Sequence, residues 1–210
     1  MCAQKLSHDE NWPRANTLFT AGLNASDFAL IGIPAHKSSL SPTSANLTPA
    51  AIREALARYS TFAGSTKTDL TKLAMVDLGD VTDPDFADGE AKVAASVEKL
   101  LANHKLVMAL GGDNSITYSV ARGLWKDLSN VGVITFDAHH DLRDGQSNGS
   151  PIWRLIQAGL PGKNIVQIGI SDFANSAAYS KRAEDNGITV IDRAMMRSQS
   201  IEKIVTDALA

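Results

Sequence analysis

From Asp137 to Asp141 the chain reads Asp-Ala-His-His-Asp, directly after the apolar run 131–136. In extended backbone, residues two apart share a face. Asp137, His139 and Asp141 are therefore expected to converge on one volume just past a strand end. His140 alternates away, toward an orienting or hydrogen-bonding role rather than ligation. Two carboxylates and an imidazole suit Mn²⁺, Zn²⁺ or Fe²⁺ better than a thiolate-preferring metal. The plain alternative is a solvated polar loop, and three ligand-type side chains in five residues behind a buried strand weigh against it. Arg143 shares the parity of Asp141. Its guanidinium could balance an anionic metal site or clamp a substrate carboxylate in bidentate fashion, and the residues leave both open.

Two further segments bear on that volume. Gly111-Gly112-Asp113-Asn114-Ser115 lacks the spacing of a P-loop or dinucleotide fingerprint. Its paired glycines permit a tight turn with close backbone approach. Asp113, Asn114 and Ser115 are good helix caps, yet a place beside the Asp-His cluster would bring Asn114 or Asp113 to the metal volume. The loop 146–151 (Gln-Ser-Asn-Gly-Ser-Pro) either forms a turn with Ser150 capping a helix at Pro151, or offers Asn148 and Ser150 to a substrate. His36 and His104 are isolated. His104 is expected to face solvent at the end of a charged helix, and His8 to lie in a frayed terminus.

These side chains need a frame, and the pattern supplies one. Short apolar runs at 28–33, 73–78, 106–110, 131–136, 165–170 and 188–191 read as six strands. Helical spacing fills 48–60, 86–104, 115–128, 151–158, 177–186 and 201–210, with Thr48 as a cap before Pro49. Strand–helix alternation with strands apolar throughout predicts a mainly parallel sheet covered on both faces, a three-layer α/β/α fold. In such sheets sites form at the carboxyl ends of strands, where both motifs lie. At 210 residues one domain spanning 1–210 is expected. A net charge of −3 gives no electrostatic case for nucleic acid or an anionic membrane. Cys2 is the single cysteine, so there is no disulfide framework or cysteine metal site. The polar N-terminus lacks a signal-peptide core and no run approaches a membrane span, which fits the cytoplasm.

With these motifs in hand, the chain resembles the ureohydrolase family of arginase, agmatinase and formimidoylglutamase. Asp77-Leu78-Gly79-Asp80 looks like the family's early Asp-x-Gly-Asp signature. Gly-Gly-Asp-Asn-Ser resembles its Gly-Gly-Asp-His-Ser motif, and Asp-Ala-His-His-Asp its Asp-Ala-His-x-Asp motif. With Asn-Gly-Ser-Pro following, the segment is most similar to formimidoylglutamase. The resemblance implies an arginase-like fold and hydrolysis of N-formimidoyl-L-glutamate to glutamate and formamide, in histidine degradation. It implies two Mn²⁺ ions bridged by a hydroxide, which attacks the amidine carbon. Asp137 would bridge the ions, His139 would bind one and Asp141 the other. Arg143 would meet the substrate carboxylate. A small amidine or guanidino substrate and a homo-oligomer are implied as partners.

Two departures temper this. Asn114 stands where the family carries a metal-binding His, and an amide oxygen is the poorer donor. The family's later Asp-x-Asp-x-x-Asp motif is not found before Ala210, nor are its last two strands, which lie mid-sheet. Weak Mn²⁺ binding, slow turnover and unpaired ladder edges are therefore expected of these residues alone. The alternatives are agmatinase- or arginase-like guanidino hydrolysis, or a metal-depleted homologue serving as an assembly or regulatory subunit.

Overall fold

The computed structural model describes residues 8–21, 26–73 and 75–209. Cys2, the rest of the polar N-terminus to Ser7, Ala74 of the second expected strand and Ala210 of the last expected helix lie outside them. The chain divides into two compact units, residues 1–37 with 43–113 and residues 38–42 with 114–210.

The first unit holds β1 (Phe19–Ala21), β2 (Ser26–Ile33), α1 (Thr48–Leu56), β3 (Phe62–Ala63), β4 (Thr68–Asp69), β5 (Met75–Asp80), α2 (Phe86–Leu101) and β6 (His104–Gly111). A parallel sheet runs β1-β5-β2-β6, while β3 and β4 form a small antiparallel pair. Every residue of β2 from Ala29 to Ile33 is buried whatever its parity, as a strand covered on both faces requires. One covering helix is α2, whose Val93, Val97 and Leu100 recur at helical spacing and are at most 1% exposed. The other contact comes from α1, which lies against β2 and β6.

Arg53 of α1 organises the Asp-Leu-Gly-Asp segment. Its Nε and Nη2 donate to both oxygens of Asp77 at 2.6 and 2.9 Å, and Nη1 to Asp80 Oδ1 at 2.5 Å. The Asp77 hydrogen bond, more than Asp80, holds this guanidinium above its usual value. A Cβ on Gly32 would stand 1.8 Å from Asp80 Oδ1, so only glycine leaves room for the clamp. This signature is thus an ion-pair staple within the first unit. Gly112 is similarly constrained, since a Cβ there would sit 2.1 Å from the Ala35 carbonyl oxygen. The strand-to-helix turn is held by Gly112 N–H donating to Ile33 and Asp113 N–H donating to Ala35, at 2.9 and 2.8 Å.

The second unit holds α3 (Ile116–Leu124), β7 (Val133–Phe136), α4 (Pro151–Gln157), β8 (Ile165–Ile170), α5 (Ala177–Asp185), β9 (Thr189–Asp192), α6 (Arg193–Ser198) and α7 (Ile201–Leu209). Its sheet is parallel in the order β7-β8-β9. Ala121, Ile152, Leu155, Ile165 and Ala183 pack α3, α4 and α5 around one core, while Ile204 of α7 joins Ile168 and Ile191 in another. The strands of both units are parallel apart from the β3–β4 pair, which is the mainly parallel α/β arrangement expected.

Several local expectations are corrected. His104 is the first residue of β6, 7% exposed, with Nδ1 2.8 Å from the Ser26 hydroxyl. The helix ends at Leu101 and a turn through Asn103 brings His104 back beside β2, a long-range pairing that periodicity does not register. Thr48 is itself helical and no side chain caps α1. The strands are more than six: β1, β3 and β4 were not anticipated, nor was α6. Coverage on both faces fails at β6 and β7, each with one strand neighbour among the described residues. There Leu106, Met108, Ile134 and Phe136 are 55, 47, 40 and 79% exposed. No helix of the described residues is long and apolar enough to cross a membrane.

Candidate functional site

Past Phe136 the β7 strand ends, and residues 137–142 cross the carboxyl end of the second unit's sheet as an irregular segment whose backbone is pinned nearly everywhere. Asp137 N–H donates to Ile168 and the Ala138 carbonyl accepts from Ser171 N–H, both at 3.1 Å, extending the β7–β8 ladder. His139 N–H donates to Asp137 Oδ1 at 2.8 Å. His140 N–H donates to Asn175 Oδ1 at 2.9 Å, and its carbonyl accepts from Gln167 Nε2 at 2.8 Å. The Asp141 carbonyl accepts from Trp153 N–H at 3.2 Å, and the Leu142 carbonyl from Arg182 Nη1 at 2.7 Å. Arg182, on α5, also meets Asp144 at 2.9 Å and lies 4.4 Å over the Trp153 ring. Buried backbone groups must be paired, and here side chains do much of the pairing.

The segment bounds a cleft of about 440 Å³ lined by Asn114, Asp137, His139, His140, Asp141 and Arg143, together with Asn148 and Tyr179. The expected residues thus share one cavity, by a different route from simple alternation. The backbone bends at Ala138–His139 instead of staying extended, and Asp141 adopts a left-handed φ of 55°. Asp and Asn tolerate that region better than most side chains.

Asp137 Oδ1 stands 3.2 Å from His139 Nδ1. Asn114, just before α3, accepts at Oδ1 from the Thr117 hydroxyl at 2.8 Å and donates from Nδ2 to Asp141 Oδ2. Burial first, and the Asp137 charge second, push the Asp141 carboxyl up to about 7, against the Asn114 hydrogen bond and Arg143. Such a carboxylate pair is short of positive charge. In donor chemistry the set therefore fits a hard divalent cation. Its closure is looser than expected: among the described residues no three His, Cys, Asp or Glu side chains stand close enough to hold a metal ion as arranged.

The remaining candidates divide. Arg143 is exposed on the cleft wall, its guanidinium 5.8 Å over the Tyr179 ring and its backbone N–H bonded to Gly149 at 3.0 Å. Asn148 lines the cleft with Oδ1 committed to Leu40 N–H at 3.1 Å. Ser150 is fully buried away from the lining, its hydroxyl accepting from Ser147 N–H and donating to the Ser147 carbonyl, both 2.9 Å. It closes the turn that presents Asn148. His140 is 3% exposed, with Nδ1 bonded to Gln167, in keeping with an orienting role. Sequence reasoning passed over Gln167, Asn175, Tyr179 and Arg182. Of these only Gln167 carried a signal, a polar residue inside an apolar strand.

Comparison with known proteins adds lineage to this geometry. The model of the arginase family matches residues 26–210. A formimidoylglutamase of Halalkalibacterium halodurans is 37% identical over 198 residues, covering 90% of this chain and 62% of the relative. The crystal structure of formimidoylglutamase from Bacillus subtilis superposes with a TM-score of 0.91 at 30% identity, over 99% of this chain and 68% of that one. A Trypanosoma cruzi formiminoglutamase solved with Mn²⁺ shares the fold, with a TM-score of 0.85 at 24% identity, over 94% of this chain and 71% of that one. The chain thus spans about three fifths of the first of these relatives.

Proposed function

This chain belongs to the arginase family, and on that footing we propose that it serves a Mn²⁺-dependent hydrolase of linear amidines, with N-formimidoyl-L-glutamate as substrate and glutamate and formamide as products. One observation carries the reading: Asn114, Asp137, His139 and Asp141 line a single cleft together with Arg143. The first four are the residues that would hold metal. A divalent metal bound there would supply a nucleophilic hydroxide at neutral pH. Asn114 would have to turn its amide oxygen inward, exchanging its present bonds to Thr117 and Asp141. Arg143 would take a substrate carboxylate through its paired N–H groups, its ring contact with Tyr179 limiting its freedom. Asn148 has its amide N–H₂ to offer substrate, and Ser150 supports it through the turn. We assign residues 1–210 to one arginase-like domain, acting in histidine degradation as a cytoplasmic homo-oligomer.

A second reading has an observation of its own. The Asn114 amide donates to Asp141 instead of facing the cleft with oxygen, as suits a homologue that has lost metal and serves assembly or regulation. A substrate panel separates these readings. Purified protein with Mn²⁺ is assayed on N-formimidoyl-L-glutamate, agmatine, arginine and guanidino acids, and the ranking of kcat/KM decides. Formamide release from N-formimidoyl-L-glutamate should lead. A lead by agmatine or arginine would move the assignment to guanidino hydrolysis. Bound Mn²⁺ without turnover on any substrate, or no Mn²⁺ uptake, would favour the non-catalytic homologue.

A further inference from the structure

Gln167 occupies the middle of the apolar strand β8 and is 0% exposed. A buried amide is costly unless both of its ends are bonded. Here both ends go to one residue: Nε2 donates to the His140 carbonyl at 2.8 Å, and Oε1 lies 2.6 Å from His140 Nδ1. The orientation is fixed by chemistry. A carbonyl only accepts, so the amide nitrogen must face it, and the amide oxygen is left for Nδ1. An amide oxygen also only accepts, so Nδ1 carries the proton. Asn175 repeats the device, with Nδ2 donating to the Ala138 carbonyl and Oδ1 accepting from His140 N–H, both at 2.9 Å. Again each partner admits one orientation.

We propose that Gln167 and Asn175 are positioning residues, two amide clips that fix the backbone of Ala138–His140 and hold the His140 ring with Nδ1 protonated. The clips set the one loop conformation that brings Asp137, His139 and Asp141 to the cleft. Neither side chain comes from the motif it holds; one is on β8 and the other precedes α5. The metal part of the inference rests on the function proposed above, whereas the clips themselves do not.

The test uses the full chain with three variants. Gln167→Met keeps the volume and removes both bonds. Gln167→Glu keeps the acceptor for Nδ1–H and loses the donor. Asn175→Ala removes the second clip at a partly exposed site. Three quantities are measured: the His140 tautomer by long-range ¹H–¹⁵N correlation, amide exchange at residues 138–141, and Mn²⁺ affinity from the free-ion EPR signal. Wild type should show the Nδ1–H form and slow exchange. Gln167→Met should lose both and weaken Mn²⁺ binding about ten- to a hundredfold, the usual range for groups that orient metal ligands. Asn175→Ala should shift in the same direction, and Gln167→Glu should recover the Nδ1–H signature. A wild-type Nε2–H tautomer, or a folded Gln167→Met with unchanged exchange, would overturn the clips. Unchanged Mn²⁺ affinity in that variant, against a wild type that binds, would overturn their role in the site. A wild type that takes up no Mn²⁺ defeats the metal reading alone, and tautomer and exchange still decide the clips. Should Gln167→Met fail to fold, Gln167→Glu and Asn175→Ala carry the same comparison.

Discussion

Asp141→Asn offers the sharpest reading of the cleft electrostatics, because it exchanges a buried carboxyl for an amide of the same shape. The amide oxygen can still accept from Asn114, and Asn tolerates the left-handed φ of 55°. What disappears is the charge. The Asp141 carboxyl rises from 3.8 to about 7, through burial first and Asp137 second. A rise of about 3 units at about 1.36 kcal/mol each amounts to about 4 kcal/mol. The sign follows from linkage: the native state binds this proton more tightly than the unfolded chain does. The contribution to stability is fully present below the unfolded value near 3.8 and is lost as pH climbs through about 7. Metal-free wild type should therefore weaken between about pH 4 and pH 7 relative to Asp141→Asn, with the groups that do not interact with Asp141 cancelling in the difference. Urea unfolding of both proteins in chelator, at intervals from pH 4.5 to 8.5, gives that difference directly. It should grow to about 4 kcal/mol in favour of the variant at the alkaline end. Added Mn²⁺ should raise the wild-type midpoint at pH 8 and leave the variant's where it was. A difference that does not change with pH, or one that favours wild type as pH rises, would refute the reasoning.

Asn114→His should tighten Mn²⁺ binding about tenfold, or about 1.4 kcal/mol, because imidazole is the better donor; isothermal calorimetry at fixed pH reads it. Gly112→Ala should lower stability by about 1–3 kcal/mol through overpacking on Ala35, visible as a lower urea midpoint with unchanged slope. Arg53→Met should cost about 3 kcal/mol, since Asp77 and Asp80 would lose the guanidinium that joins them, and thermal unfolding at low and high salt should show the loss partly screened.

How far the sequence could be read depended on whether the deciding contacts were local. The strand 165–170 is placed to the residue, because an apolar run interrupted only by Gln167 between Asn164 and Ser171 leaves one reading. The Asp-Ala-His-His-Asp segment announces a site by residue type alone. Its geometry was not legible in the same way, because Asp141 reaches the cleft through a left-handed backbone angle that a parity rule cannot contain. His104 continues the helical pattern of residues 86–101, and only its alignment opposite Ser26 makes it a strand residue. Ser150 has the chemistry of a substrate ligand, but its hydroxyl is spent inside its own turn. Gln167 stands out as a polar interruption in β8, yet nothing local says that its partner lies at His140. Arg53 looks like one more surface cation on an amphipathic helix until the fold brings Asp77 and Asp80 to it.

The backbone angle at Asp141 also restricts what this position can become. Left-handed geometry at a non-glycine residue favours Asp and Asn over longer or branched side chains, and glycine is the other easy choice. Glu, the usual conservative exchange, would be strained there and would overreach the cleft. Of the three residues the backbone accepts readily, Asp is the one that carries charge, and it is the least comfortable so close to Asp137. Drift judged by folding alone would run downhill from Asp141 to Asn in a single step, keeping the acceptor for Asn114 with no strain to oppose it. The carboxylate is thus the costliest residue the turn can accommodate, and stability does not account for its presence.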